Sequence, residues 1–186
     1  MTAARTNSAS APLSHATIEI LGHPFRVIWS PEDGAVRASG FATADDPEAA
    51  SLIERLTRID PSMAERGLRA TEDPDAPVAA ALRAYAAGDL AAVDAIPVAQ
   101  VETPFRGEVW RALRSVPGGE AVTYTKLAGL AGRPTAVRAA ASGCANNLVA
   151  LIVPCHRIVR ADGGLGGYLF GVDIKEALLR HEGAIA

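Results

Sequence analysis

The chain reads as a mixed α/β (α+β) protein, with a small sheet-bearing first half and a mostly helical second half. Three observations predict this. Apolar/polar alternation of strand type is concentrated in residues 15–41. Helix-type spacing with start and stop residues dominates after residue 100. The charge also changes sign: residues 1–100 carry 8 Lys/Arg against 14 Asp/Glu, net −6, and residues 101–186 carry 10 against 7, net +3. Opposite signs in the two halves suggest two domains. The expected division is a flexible tail over 1–12, an α/β domain over 13–100 and a second domain over 101–186. At 186 residues, 49% apolar and 21% charged, the composition is that of a globular protein able to bury a core.

The segment HATIEILGHPFRVIWSPEDGAVRASGF (15–41) is broken at Gly22-His23-Pro24 and Pro31-Glu32-Asp33-Gly34, which predicts a three-stranded antiparallel meander. DPEAASLIERLTRI (46–59) has an acidic, Pro-bearing start and helical spacing, and DAPVAAALRAYAAGDL (75–90) predicts a second helix closed by Gly88. Residues 91–101 read as a linker or short strand. Thr103-Pro104 caps a helix in which Phe105, Val109, Leu113 and Val116 share a face. After the turn PGGE, TYTKLAGLAG (123–132) predicts a short helix. RPTAVRAAASGCANN (133–147) predicts another, with Pro134 in its first turn. Two short helices around a tight turn form a helix-turn-helix pattern. The second is rich in small residues (Ala136, Ala139, Ala140, Ala141, Ser142, Gly143), which permits close backbone approach, most simply to another helix. LIV (151–153) reads as a buried strand, IVR after Arg157 as the start of another, and VDIKEALLRHEG as a final helix.

Composition excludes several classes. No apolar run approaches the roughly 20 residues a membrane span needs. MTAARTNSASAPLSH lacks the apolar core of a signal peptide. Two cysteines cannot build a disulfide scaffold and point to a reducing, cytoplasmic setting. The segment 101–160, with 8 basic and 3 acidic residues, is the part able to face an anionic partner such as nucleic acid.

The chemistry centres on LIVPCHRIVR (151–160). An unpaired cysteine is most often a small core hydrophobe. Cys144, Cys155, His156 and His181 lack zinc-ligand spacing, and no C-x-x-C is present, so neither a metal nor a cofactor is expected. The reactive alternative is a nucleophilic thiolate at Cys155, which needs a base or cation nearby. His156 is the adjacent base, but neighbours in extended backbone point apart, so a bridging water or another base is required. An orienting carboxylate is available from Glu176 or Glu182. From these residues alone, hydrolase and transferase remain equal.

IVPCHRIV, with TYTKLA upstream and KEALLRHEG downstream, resembles the O6-alkylguanine-DNA alkyltransferases. Tyr124, Arg138 and Asn147 precede Cys155 by 31, 17 and 8 residues, and Glu182 follows it by 27, all at the family's spacing. The resemblance is strong over 104–184 and loose over 13–100, where it implies a ribonuclease H-like domain. For the second half it implies a winged-helix-like helix-turn-helix placed in the DNA minor groove, a channel of ~6 Å that suits a slim helix.

The resemblance further implies direct-reversal repair of O6-alkylguanine, and O4-alkylthymine, in double-stranded DNA. The base is flipped out of the stack before reaction. Arg138 fills the gap it leaves, and Tyr124 crowds the 3′ phosphate. Thr135, Ala136, Ala139 and Ser142 face the DNA. Glu182 orients His156, which deprotonates Cys155 through a water. Cys155 takes the alkyl group once and irreversibly, and Tyr124 protonates the leaving guanine. Asn147 braces the turn, Arg157 holds the domain through backbone contacts, and Tyr168, Val153 and Pro154 shape the pocket. A stand-alone monomer with no obligate protein partner and no metal is implied. The rival is a lesion-binding module of alkyltransferase-like type, which lacks the cysteine that Cys155 supplies. A Cys-His hydrolase and a transcription factor with an incidental cysteine fit the basic segment and the Cys-His-Glu set less well.

Overall fold

Strands β1 (Leu13–Ile20), β2 (His23–Trp29) and β3 (Val36–Phe41) form the expected meander, with Ile18 opposite Phe25 and Phe25 opposite Phe41. The computed structural model describes residues 10–71, 73 and 76–186. Residues 1–9 of the expected tail, and Asp75 at the expected start of the second helix, lie outside the described residues.

Side chains alternate across the sheet. Phe25, Val27 and Trp29 enter one buried cluster, while Ile28 enters another with Leu13 and Ala38. Each face receives a helix. Helix α1 (Ala50–Ile59) buries Leu52 and Leu56 with Ile28, and α2 (Pro77–Ala86) buries Val78, Ala79, Leu82 and Tyr85 with Phe25. A three-residue strand, β4 (Leu68–Ala70), adds in parallel to β1. It is too short and too exposed to carry a sequence signal.

The second half holds α3 (Pro104–Arg114), β5 (Val122–Thr123), α4 (Tyr124–Leu130), α5 (Val137–Ala145), β6 (Ile158–Val159) and α6 (Val172–His181). Thr103 and Thr123 cap α3 and α4 through their side chains. β5 and β6 pair in parallel. Val109 and Leu113 of α3 are buried as expected, and so is Trp110, whose indole N–H donates to Gly143 O of α5 at 3.0 Å. A Cβ on Gly143 would lie 2.7 Å from Val109 Cγ1, so the small residue there serves helix packing.

Two sequence expectations fail. The helix expected from residue 133 begins only at Val137. Pro134 disfavours helical backbone at Arg133, so Arg133–Ala136 form a turn instead. The strand expected over 151–153 is absent: those residues turn, with Leu151 at φ 68° and Val153 N donating to Val149 O. A short apolar run reports burial and not strand pairing, and Leu151, Ile152 and Val153 are all buried.

One apolar cluster runs from Ile18 to Leu178 and so includes residues of both halves. The outer edge of β3 is also occupied. Ser39 N donates to Leu148 O, Ala150 N to Ser39 O, and Ser39 Oγ to Ala150 O. Residues just ahead of Cys155 are thereby fixed to the first-half sheet. Among the described residues, no helix is long and apolar enough to cross a membrane.

Candidate active site

The turn that replaces the expected strand delivers Cys155 to a 3-10 turn, Cys155–Arg157, directly after Pro154. Cys155 is half-buried, while His156 and Arg157 are buried behind it. Three residue types in one tight turn therefore separate into one side chain facing a cavity and two facing the interior. The cavity has a volume of about 300 Å³ and is lined by Tyr124, Cys144, Asn147, Cys155, Tyr168 and Phe170 among others. Its lining is largely apolar with few polar groups, the usual character of a small-molecule or base pocket.

Asn147 holds the sulfur. Its amide Nδ2 donates to Val153 O at 2.8 Å and to Cys155 Sγ at 3.3 Å, and its Oδ1 accepts from Val149 N at 3.1 Å. Gln100 steadies that amide, donating to Asn147 Oδ1 at 3.1 Å and accepting from Leu148 N at 2.8 Å. Burial pushes the Cys155 thiol up, while the Asn147 hydrogen bond and the charge of Lys175 pull it back. The thiol is thus kept from ionising alone and needs a base. Lys175 is itself fully buried on α6 and donates from Nζ to Ile158 O.

The base and its carboxylate lie in the interior. His156 Nε2 is 3.0 Å from Glu182 Oε1, with both side chains inaccessible. Arg157 grips the same carboxylate through Nε to Oε2 (2.9 Å) and Nη2 to Oε1 (2.8 Å), and its Nη1 donates to Val116 O at 2.6 Å. Burial alone would raise the Glu182 carboxyl, but hydrogen bonds from His156 and Arg157 overcome it and hold the group below the ordinary carboxylate range. An ionised Glu182 makes Nε2 of His156 the donor, leaving Nδ1 as acceptor. Nδ1 has no hydrogen-bond partner among the described residues, and no hydrogen bond joins His156 to Cys155. Burial lowers His156, against the pull of Glu182, which favours the neutral imidazole with Nδ1 free to accept a proton.

Of the two carboxylates open from sequence, Glu182 occupies the site; Glu176 instead pairs with Arg180 at the surface. The expected backbone contact of Arg157 exists at Val116, alongside two bonds to Glu182 that sequence reasoning missed. Tyr124 opens α4 and lines the cavity; burial raises its phenol, so it is a proton-bearing donor near neutral pH. Tyr168 also lines the cavity, packed against Phe170, whose ring meets Phe41 of β3 at 5.8 Å between centroids. Val153 and Pro154 are buried beneath the turn.

Along α5 and the turn before it, Thr135, Arg138, Ala139 and Ser142 are exposed, and Ala136 is half-buried. Arg138 makes no ion pair among the described residues. This exposed stripe of short side chains with one free guanidinium lies on the helix that also contributes Ala141 and Cys144 to the cavity.

Residues 104–184 match the family described as 6-O-methylguanine DNA methyltransferase, DNA binding domain. That match covers 81 of the chain's 186 residues, all of them in the second half. The chain is 46% identical over 102 residues to the methylated-DNA–protein-cysteine methyltransferase of Shigella flexneri, a match covering 55% of this chain and 60% of that protein. It is 56% identical over 80 residues to the bifunctional transcriptional activator/DNA repair enzyme Ada of Escherichia coli K12, covering 43% of this chain and 23% of Ada. The chain thus spans less than two thirds of the length of either relative. Among solved structures, the Mycobacterium tuberculosis OGT in complex with DNA superposes with a TM-score of 0.67 at 27% identity, covering 92% of this chain and 93% of that one. The likeness of fold to that structure therefore extends through both halves of this chain.

The first half contributes what sequence reading gave it no credit for. Tyr85 of α2 donates to Glu182 Oε1 at 2.7 Å, and Arg55 of α1 reaches Asn147 O at 3.4 Å. Neither has a local motif, since each partner lies more than 90 residues away. Only the fold brings them in.

Proposed function

We propose that this protein repairs O6-alkylguanine, and O4-alkylthymine, in double-stranded DNA by moving the alkyl group to Cys155, one molecule per lesion. The observation that carries this reading is the Cys155 sulfur, held by Asn147 at a largely apolar pocket, with a buried His-Glu pair behind it and an exposed slim helix beside it. A hydrolase would need a cysteine able to release its product. A thioether formed at Cys155 cannot be hydrolysed, and the relatives' printed names describe transfer to protein cysteine.

In the proposed mechanism, α5 enters the minor groove with Thr135, Ala136, Ala139 and Ser142 against the backbone. Arg138 occupies the space of the extruded nucleotide, and Tyr124 presses on the adjacent phosphate. His156, tied at Nε2 to Glu182, takes the Cys155 proton at Nδ1 through a water. The thiolate attacks the alkyl carbon; the carbon–sulfur bond forms as the carbon–oxygen bond breaks. The electron pair passes into the guanine ring, which accepts a proton from the Tyr124 hydroxyl. Asn147 fixes the sulfur along the line of attack. Residues 101–186 carry these steps and 13–100 support them. The protein acts in the cytoplasm as a monomer, without metal, cofactor, membrane or obligate protein partner.

The test is intact mass after incubation with excess duplex containing one O6-methylguanine. A gain of one methyl mapped to Cys155, stopping at one equivalent and absent in Cys155→Ser, is the expected result. Tight lesion binding without any mass gain would move the protein to the lesion-binding class.

A further inference from the structure

We infer that Tyr85, from the first half of the chain, is a positioning residue for the Cys155 reaction, sharing one oxygen of Glu182 with His156. The inference rests on the alkyl-transfer reading above and assigns the first half a direct part in it.

The geometry is specific. Glu182 Oε1 accepts from three donors: Tyr85 Oη at 2.7 Å, His156 Nε2 at 3.0 Å and Arg157 Nη2 at 2.8 Å. Oε2 accepts from Arg157 Nε at 2.9 Å. His156 and Tyr85 thus draw on the same oxygen. Tyr85 is wholly buried and has no alternative acceptor in water. Its own carbonyl accepts from His181 Nε2 at 2.9 Å, which pins the backbone of α2 to the end of α6, one residue before Glu182. Packing in the core requires only the ring at position 85. The hydroxyl is what reaches the carboxylate.

That hydroxyl controls how much negative charge His156 meets. A carboxylate oxygen with one donor fewer is a stronger acceptor for an imidazole N–H, and stabilises the imidazolium more. Tyr85 therefore limits the pull of Glu182 and helps keep His156 neutral, the form able to accept the Cys155 proton. The other groups facing this pair are fixed in their effect. Arg157 in the turn and Lys175 on α6 favour neutral His156, and Glu182 alone favours the charged form. Tyr168, from the loop before α6, lies within electrostatic reach of Cys155, Tyr85 and Glu182. His181 contacts Tyr85 through main chain and ring, at 5.3 Å between centroids. Burial and the neighbouring carboxylate raise the Tyr85 phenol, so it donates throughout the working range and does not titrate with His156.

The test compares Tyr85→Phe with 3-fluorotyrosine installed at position 85. Two readouts are used: the pH profile of methyl transfer from an O6-methylguanine duplex, and the nitrogen-15 NMR titration of His156. Losing the hydroxyl is expected to move the acidic limb and the His156 titration upward by about one pH unit. The more acidic fluorophenol donates more strongly and moves both downward. The plateau rate above the limb stays within about threefold in both, since no reacting group has changed. Two proteins with unmoved titrations and intact folds would overturn the inference, as would shifts of the same sign. If Tyr85→Phe fails to fold, the fluorinated protein alone decides, because it keeps the ring. Absence of transfer by the unmodified protein would instead refute the proposed function, and the NMR titration would still judge the Tyr85–Glu182–His156 coupling.

Discussion

Replacing Arg157 by Met removes one charge from a buried pair and leaves Glu182 ionised in the interior. Arg157 is 2% exposed and Glu182 5%, so water cannot compensate. Deleting one partner of such a pair costs about 3–5 kcal/mol. Losing the Nη1 bond to Val116 O at 2.6 Å adds roughly 1 kcal/mol, which makes about 4–6 kcal/mol in all. For a chain of this size each kcal/mol lowers Tm by about 2–4 °C, so the expected drop is roughly 8–24 °C. Urea unfolding of wild type and Arg157→Met at pH 7.5 measures it. The same experiment at pH 5 adds a signature: the stranded carboxyl rises towards protonation, so the loss shrinks as Glu182 becomes neutral. The double variant Arg157→Met/Glu182→Gln recovers much of the loss, because the unpaired charge is gone. A loss below about 1.5 kcal/mol, or no recovery in the double variant, would refute the argument that this pair is a buried and mutually dependent unit.

Three further outcomes follow from other parts of the molecule. Gly40→Ala places a Cβ 2.5 Å from Phe170 Cζ, so the ring must leave its seat on β3; a loss of about 1–3 kcal/mol and a changed preference for alkyl size are expected, read by urea unfolding and by competing methyl and benzyl lesions. Arg138→Ala, at an exposed position, leaves stability within about 0.5 kcal/mol but slows repair of duplex substrate at least tenfold, with smaller loss on the free base; equal loss on both would exclude a role in extruding the nucleotide. Acidification destabilises the fold, because His156 and Glu182 both have folded values below their ordinary 6.5 and 4.5. The unfolded chain then binds more protons, so stability is whole above pH 6.5 and declines as pH falls, first through His156 and below 4.5 through Glu182. Urea midpoints from pH 8 to 4 check this, and Glu182→Gln is expected to flatten the lower part of the curve.

Local signals carried much of this molecule. Alternation in 15–41 located the three strands, and Thr103-Pro104 marked the start of α3. Cys155, His156, Glu182, Tyr124 and Asn147 were readable because their spacing matches a known pattern, and the fold gathers all five around one turn and its cavity. What was not legible depended on tertiary context. The LIV run looked like a strand because burial on all sides gives the same composition as a parallel strand. Pro134 was placed in the first turn of a helix, although its restriction on Arg133 moves the start to Val137. Tyr85, Gln100 and Arg55 sit in ordinary helix and linker sequence, and acquire meaning only from partners across the chain.

The bonds between Ser39 and residues 148–150 have a consequence for the protein's life after use. A sheet edge left open recruits other strands, and proteins guard against this by covering it. Here β3 is the terminal strand of its sheet, and it is guarded at Val36 by residues 97–99 and at Ser39 by the stretch of chain that leads into Cys155. The second of these covers and the acceptor are one continuous piece. Any change at the sulfur that loosens this stretch unmasks a sticky strand. A spent molecule would then differ from a fresh one in how readily it clumps and how quickly a protease finds it.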